Sequence, residues 1–247
     1  MAAFVLCEKD IVLKENGELT SANDLEFFKN QNCDAVYFEE PAMNIKVLAL
    51  KKADELPEGF KKIMLREYFA THTEEENFLA FRAKGIYEWK EDNKFCCKCG
   101  TKLVDHKELT ARQCPKCGKL IFPRISPCII VVVHKDGKIL LAKHTYRNQD
   151  LYACIAGFME SGESAEHAVE REVFEETGLK IKNIKYRGSQ SWPFPDQLML
   201  GFTADWASGQ IKVQEEEIAE AQWFDVTNLP NSPKPGSIAY RLIHGEY

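Results

Sequence analysis

One run of 23 residues, Gly157 to Leu179, constrains this chain more than any other. From Ser164 to Thr177 its composition favours helix: Ser164 can cap the N-terminus, Ala165, Ala168 and the glutamates have good propensity, and Gly178 supplies a C-terminal stop. At about 3.6 residues per turn, Glu172, Glu175 and Glu176 then fall on one face. Three carboxylates within a turn repel one another unless hard, oxygen-seeking cations such as Mg²⁺ or Mn²⁺ sit among them. Val169 and Val173 lie beside that face, which predicts partial burial. On composition alone the same residues read as a solvated acidic helix surface.

The full spacing decides between the two readings. Gly157, five residues, Glu163, seven residues, Arg171-Glu172, an aliphatic Val173, then Glu175-Glu176, one residue, Gly178 and Leu179 resemble the signature of the Nudix hydrolase family at all nine of its positions. The resemblance implies an α/β/α sandwich whose loop-helix-loop binds metals and cleaves a nucleoside diphosphate linked to another moiety. It implies a catalytic set of Glu163, Arg171, Glu172, Glu175 and Glu176, with Arg171 and Glu163 bracing the loop against the helix. Glu172, Glu175 and Glu176 would coordinate more than one Mg²⁺ or Mn²⁺, helped by the Ala156 carbonyl and by Glu217, for whose place Glu215 and Glu216 are rivals. The sequence leaves open whether Glu176 also acts as a general base; His144 and His167 are read as structural or surface residues.

A second motif precedes the first. Cys96 and Cys99 form one Cys-x-x-Cys knuckle, Cys114 and Cys117 another, and 14 residues separate Cys99 from Cys114. Four thiolates complete a tetrahedral Zn²⁺ shell, and Gly100 and Gly118 permit the tight turns behind them, so the pattern predicts a zinc ribbon with one structural ion. Cys97 falls out of the two-residue spacing and is a bystander. Cys7, Cys33, Cys128 and Cys154 stand mostly in apolar contexts, which fits a reducing, cytoplasmic compartment better than a disulfide scaffold.

A chain of 247 residues suits one large or two modest domains. Its formal charge of −6 argues against non-specific attraction to nucleic acid or anionic membrane. No apolar run approaches a membrane span, and the N-terminus lacks the cationic lead and apolar core of a secretion signal. The expected division is a mixed α+β domain over 1–92, the zinc ribbon over 93–123 and an α/β Nudix domain over 124–247.

Within the first domain, Phe4–Cys7, Ile11–Leu13, Ala35–Phe38 and Ile45–Leu50 read as strands, with a helix from Ser21–Asn23 and another opened by the Thr73-Glu-Glu-Glu76 capping box. His72 is expected to be a surface or packing residue. Beyond Ile125, Pro127–Val133 and Ile139–Ala142 form a predicted hairpin around Lys135-Asp136-Gly137. Further strands are predicted leading from Tyr152 to Gly157 and over Lys182–Arg187, Leu198–Trp206, Ile211–Val213 and Ala221–Phe224, with a last helix after Pro235-Gly236.

Eleven residues after the acidic run, Ser189-Gln-Ser-Trp-Pro-Phe-Pro-Asp-Gln-Leu-Met199 holds two aromatics and two prolines, which predicts a rigid aromatic loop rather than a central strand. Taken alone it could merely plug a sheet end. After a Nudix signature it resembles the Ser-Gln-Pro-Trp-Pro-Phe-Pro-x-Ser array of the NADH pyrophosphatase type, with Ser191 in place of the first proline and Gln197 in place of the last serine. The resemblance implies hydrolysis of NAD(H) to nicotinamide mononucleotide and AMP, with NAD-capped RNA or ADP-ribose as alternative substrates. It implies substrate contacts from Gln190, Ser191, Trp192, Pro193, Phe194, Pro195, Asp196, Gln197, Glu217 and Ala239, ring stacking on Phe122 and Phe158, and a homodimer. A nucleic-acid-binding regulator with a Nudix-like sensor is the rival from another class, disfavoured because every signature carboxylate is kept.

Overall fold

In a computed structural model, which describes residues 2–31, 34–51, 55–68, 71–145 and 150–247, the chain forms two compact units. One comprises Met1–Arg124 with Pro193–Asp196, the other Ile125–Trp192 with Gln197–Tyr247. Cys33 lies outside the described residues.

The first unit contains β1 (Ala2–Cys7), β2 (Asp10–Lys14), α1 (Ala22–Gln31), β3 (Ala35–Glu40), β4 (Ile45–Leu50), β5 (Phe60–Met64), α2 (Leu65–Tyr68) and α3 (Glu74–Asp92). The sheet runs β3-β4-β1-β2-β5, with β1 parallel to β4 and the other pairs antiparallel. Leu25 and Phe28 of α1 pack on Val5, Val12 and Leu48. Thr73 and Glu76 exchange the two hydrogen bonds of the expected capping box at the start of α3. β5 and α2 were not anticipated: β5 is an edge strand with no fully buried position, so it lacks the apolar alternation that marks a strand.

The ribbon strands β6 (Val104–Asp105), β7 (Arg112–Gln113) and β8 (Leu120–Ile121) follow in the same unit. Glu40, 2% exposed, joins them to the first sheet by accepting from Arg82 Nη2 at 2.8 Å and from the Thr110 hydroxyl. Burial would raise its carboxyl, but these donors and the Met43 amide hold it at about 2.

The second unit is a three-layer sandwich. Its strands are β9 (Ser126–Lys135), β10 (Lys138–His144), β11 (Ile155–Phe158), β12 (Lys180–Trp192), β13 (Gln197–Ser208) and β14 (Ile218–Asp225), and its helices α4 (Ala165–Thr177) and α5 (Ile238–His244). The order is β12-β13-β9-β10-β14, with β11 on the other part of β9 and β13 parallel to β9. Alternation along β9 and β10 divides the core: Ile129, Val131, Val133, Leu140 and Ala142 meet Ala168, Val169 and Val173 of α4. Ile130, Val132, Ile139 and Leu141 meet Ile238, Leu242 and Ile243 of α5. Asp136 and Gly137 both take positive φ in the β9–β10 turn, as a primed hairpin requires.

Two expectations for this unit need correction. Ile211–Val213 is not a strand: the amides of Lys212 and Gln214 bond instead to the carbonyls of Thr177 and Glu176, satisfying acceptors that α4 leaves open at its C-terminus. Nor is Ser189–Met199 one loop. Ser189–Trp192 completes the edge strand β12, Gln197–Met199 begins β13, and only Pro193–Asp196 turns between them.

Candidate functional site

α4 starts and stops as its sequence directs: the Ser164 hydroxyl accepts from the His167 amide at 3.2 Å, and Gly178 closes the helix in the left-handed region at φ 70. Glu172 and Glu176 are 8% and 2% exposed, whereas the Glu175 side chain is half exposed. All three line a cleft of about 700 Å³, together with Ala156, Phe158 and Glu217.

Arg171 governs the approach to this cleft. Its Nε and Nη2 donate to the two Glu163 oxygens at 2.6 and 3.0 Å, Nη2 also to the Phe158 carbonyl at 2.9 Å, and Nη1 to Glu172 and Glu175 at 2.8 and 3.0 Å. These five contacts match the five N–H donors of a guanidinium. Glu163 also accepts from the Glu160 amide at 2.9 Å, and with Arg171 as the main cause its carboxyl is lowered to about 2. The loop after β11 is thereby fastened to the helix.

The inner carboxylates behave differently. Burial raises the Glu172 carboxyl above the usual range against the pull of Arg171. Burial, reinforced by the charges of Glu172, Glu217 and Glu175, pushes Glu176 up to about 8, and Glu176 Oε2 has no hydrogen-bond partner. An orphaned buried carboxylate oxygen facing further carboxylates is costly without a counter-charge, so this donor set fits a hard divalent cation.

Two strand ends bring Glu217 to the same cleft. Across β10 and β14, Lys143 faces Glu220 and His144 faces Ile218, so Ala219 is an extra residue that bends β14 just beyond Glu217. His144, read from sequence as a structural or surface residue, is 4% exposed and lines the cleft. The signal was available: it follows Leu140 and Ala142 at a spacing of two, on the α4 side of β10. Nothing in the sequence marked Gln214, another lining residue.

The four predicted cysteine ligands also converge. Their Sγ atoms all lie within 4.8 Å of one another, with Cys96–Cys117 at 3.7 Å and Cys99–Cys114 at 3.4 Å. A tetrahedral shell with Zn–S near 2.3 Å needs sulfurs about 3.8 Å apart, so the cluster fits one Zn²⁺. Gly100 and Gly118, both at φ 71, return their amides to the Cys96 and Cys114 carbonyls. Hydrogen bonding with Thr101 first, and then with Cys114, lowers the Cys99 thiol to about 6. Among the described residues this is the one group of His, Cys, Asp or Glu side chains gathered so closely; the cleft glutamates stand further apart.

The remaining predicted contacts are dispersed. Phe158 is half exposed beside the acidic cleft. Gln190 is engaged with α5, its amide donating to the Gly236 carbonyl and its oxygen accepting from the Ile238 amide, both at 2.8 Å. Trp192 is half-buried against the α5-side core, as is Ala239. Ser191 is exposed and Gln197 half-buried at the strand ends, where Trp192 pairs with Gln197. In the other unit Phe122 is half exposed, Pro193 is buried, Pro195 exposed and Asp196 half-buried, and Phe194 lies under the Arg66 guanidinium at 4.8 Å.

The family model for the NUDIX domain matches residues 123–243. A relative from Pseudomonas aeruginosa is 43% identical over 200 residues, 81% of this chain and 71% of its own length. The chain therefore belongs to the Nudix family. That relative is named NAD-capped RNA hydrolase NudC, as is one from Chromobacterium violaceum, 44% identical over 164 residues; there the match spans 66% of this chain and only 62% of the relative. A solved Nudix hydrolase from Nitrosomonas europaea is 24% identical with a TM-score of 0.48, covering 62% of this chain and 86% of that one.

Proposed function

We propose that this chain is a divalent-cation-dependent diphosphatase that hydrolyses NAD(H) to nicotinamide mononucleotide and AMP and removes NAD caps from RNA. The observation that carries the chemistry is the buried, unpartnered Glu176 oxygen among Glu172, Glu175 and Glu217. The identity of the substrate is supported by the Ser189–Gln197 array and by the names of the relatives.

Glu172, Glu175, Glu176 and Glu217, with the Ala156 carbonyl, would hold Mg²⁺ or Mn²⁺, which supplies charge neutralisation for the pyrophosphate and an acidified water. Glu176 carries a proton near neutrality in the cation-free protein and must release it to become a ligand. Arg171 keeps Glu172 and Glu175 in place while locking Glu163 and the Phe158 carbonyl behind them. Phe158 offers a half-exposed ring to a base or nicotinamide at the cleft. The cysteine cluster holds one structural zinc outside this chemistry, and the chain divides functionally at 1–92, 93–123 and 124–247. A cytoplasmic homodimer completes the proposal. The described cysteines form no disulfide. Among the described residues no helix is long and apolar enough to cross a membrane.

The test is hydrolysis of NADH by the full chain with Mg²⁺ or Mn²⁺, with products separated chromatographically. AMP and reduced nicotinamide mononucleotide are expected, with turnover abolished by Glu176→Gln. Turnover without added cation, or other cleavage products, would overturn the proposal.

A further inference from the structure

Glu217 stands on a segment, 209–217, that pairs with no strand, so its aim depends on how that segment is fastened. One end is tied to α4 through Lys212 and Gln214. The other is tied to the end of β10 by Thr145. Its amide donates to the Glu217 carbonyl at 2.9 Å, and its hydroxyl faces the carbonyls of Glu216 and Glu217 at 3.0 and 3.2 Å. A hydroxyl has a single proton, so these two carbonyls share one donor. They flank the Cα from which the Glu217 side chain departs.

We propose that Thr145 is a positioning residue that fixes Glu217 at the cation cleft. This rests on the assignment of Glu217 as a cation ligand. Without the hydroxyl, the 216–217 peptide loses its tie to the end of β10 and is held only by the Glu217 amide's bond to the Gln214 carbonyl at 3.0 Å, while the Thr145 amide still holds the Glu217 carbonyl. Beyond Glu217, Ile218 pairs with His144, and the ladder shifts register at Ala219 before it resumes at Glu220. Cation affinity then falls while the substrate's own contacts stay intact. Thr145 is exposed, so a methyl in place of the hydroxyl meets no packed neighbours. Of the three adjacent glutamates, Glu217 lines the cleft, and Glu215 and Glu216 are not among its lining residues.

The experiment measures Mn²⁺ binding to the zinc-loaded full chain by electron paramagnetic resonance, without substrate, for wild type, Thr145→Val, Thr145→Ser and Glu217→Gln. KM for NADH at saturating Mn²⁺ is measured alongside. Thr145→Val is expected to raise the Mn²⁺ dissociation constant about three- to tenfold, the range for losing one hydrogen bond. Thr145→Ser should retain wild-type affinity, and KM should stay unchanged in both. Wild-type Mn²⁺ affinity in Thr145→Val, or equal weakening in the Ser variant, overturns the proposal while leaving the Glu217 assignment in place. Unchanged affinity in Glu217→Gln removes both. Neither result bears on which dinucleotide is cleaved.

Discussion

The Glu172 carboxylate occupies the space that a side chain at Gly157 would need: a Cβ there would lie 2.0 Å from Glu172 Cδ and 2.1 Å from Oε1. Gly157 is not at positive φ, so its requirement comes from this close approach of β11 and α4 and not from backbone freedom.

Gly157→Ala should consequently displace Glu172 and break its 2.8 Å bond to Arg171, while the helix and sheet stay packed through Val169, Val173 and Ile155. We expect kcat to fall by about 100-fold or more, the scale of losing a charge-positioning group, with the melting temperature lowered by only a few degrees. Parallel kinetics and calorimetry check this. A large loss of stability with residual activity per folded molecule unchanged would show that the glycine serves packing only.

The acidic helix was readable because each piece of it is local: the Ser164 cap, the Gly178 stop and the glutamates at helical spacing need only the helix to meet. The cysteine cluster was readable for the same reason, since each knuckle closes on itself through Gly100 or Gly118. What escaped was non-local. Ile211–Val213 has strand-like composition, but the amides of Lys212 and of the following Gln214 are claimed by the end of α4. Gln190 resembles a substrate contact, yet its amide is engaged by the start of α5, 46 residues away in sequence. His144, which alternation along β10 could have marked as buried, pairs with Ile218 at the start of β14.

The cation-free protein should lose stability as pH rises toward 8. The folded Glu176 carboxyl is raised from 4.5 to about 8, so its contribution is fully present below 4.5 and disappears as pH passes through 8. Glu163 has the opposite sign: lowered to about 2, its contribution is present above 4.5 and lost as pH falls toward 2. Melting curves from pH 4 to 9 without divalent cations should therefore decline on the alkaline side, and Glu176→Gln should flatten that decline. Mn²⁺ binding should release a proton at pH 7, visible as a buffer-dependent heat in calorimetry. Equal alkaline losses in wild type and Glu176→Gln would place the titrating group elsewhere.

One zinc per chain should survive dialysis against a weak chelator. Cys114 is 1% exposed and sits with Cys96 and Leu103 in the small ribbon core, so Cys114→Ser opens the shell from inside. We expect loss of the metal and of soluble protein, measured by elemental analysis and by the soluble fraction after expression. A soluble, zinc-free variant that melts as wild type and loses turnover selectively would contradict a structural role.

Discrimination between NADH and ADP-ribose is the final test, because the two share the pyrophosphate and differ in the nicotinamide ring. Trp192 is half-buried against the α5-side core, so its removal alters packing as well as any exposed aromatic surface. Trp192→Phe keeps an apolar ring there and separates the two effects better than alanine does. With Mg²⁺ present, wild type is expected to give a higher kcat/KM for NADH than for ADP-ribose. Trp192→Ala should narrow that ratio about fivefold, on the scale of one lost stacking contact of ~1 kcal/mol, and Trp192→Phe should narrow it less. Parallel loss on both substrates with the ratio intact would assign Trp192 to the core alone. A wild-type preference for ADP-ribose that Trp192→Ala leaves untouched would keep the diphosphatase chemistry and remove NADH as its substrate.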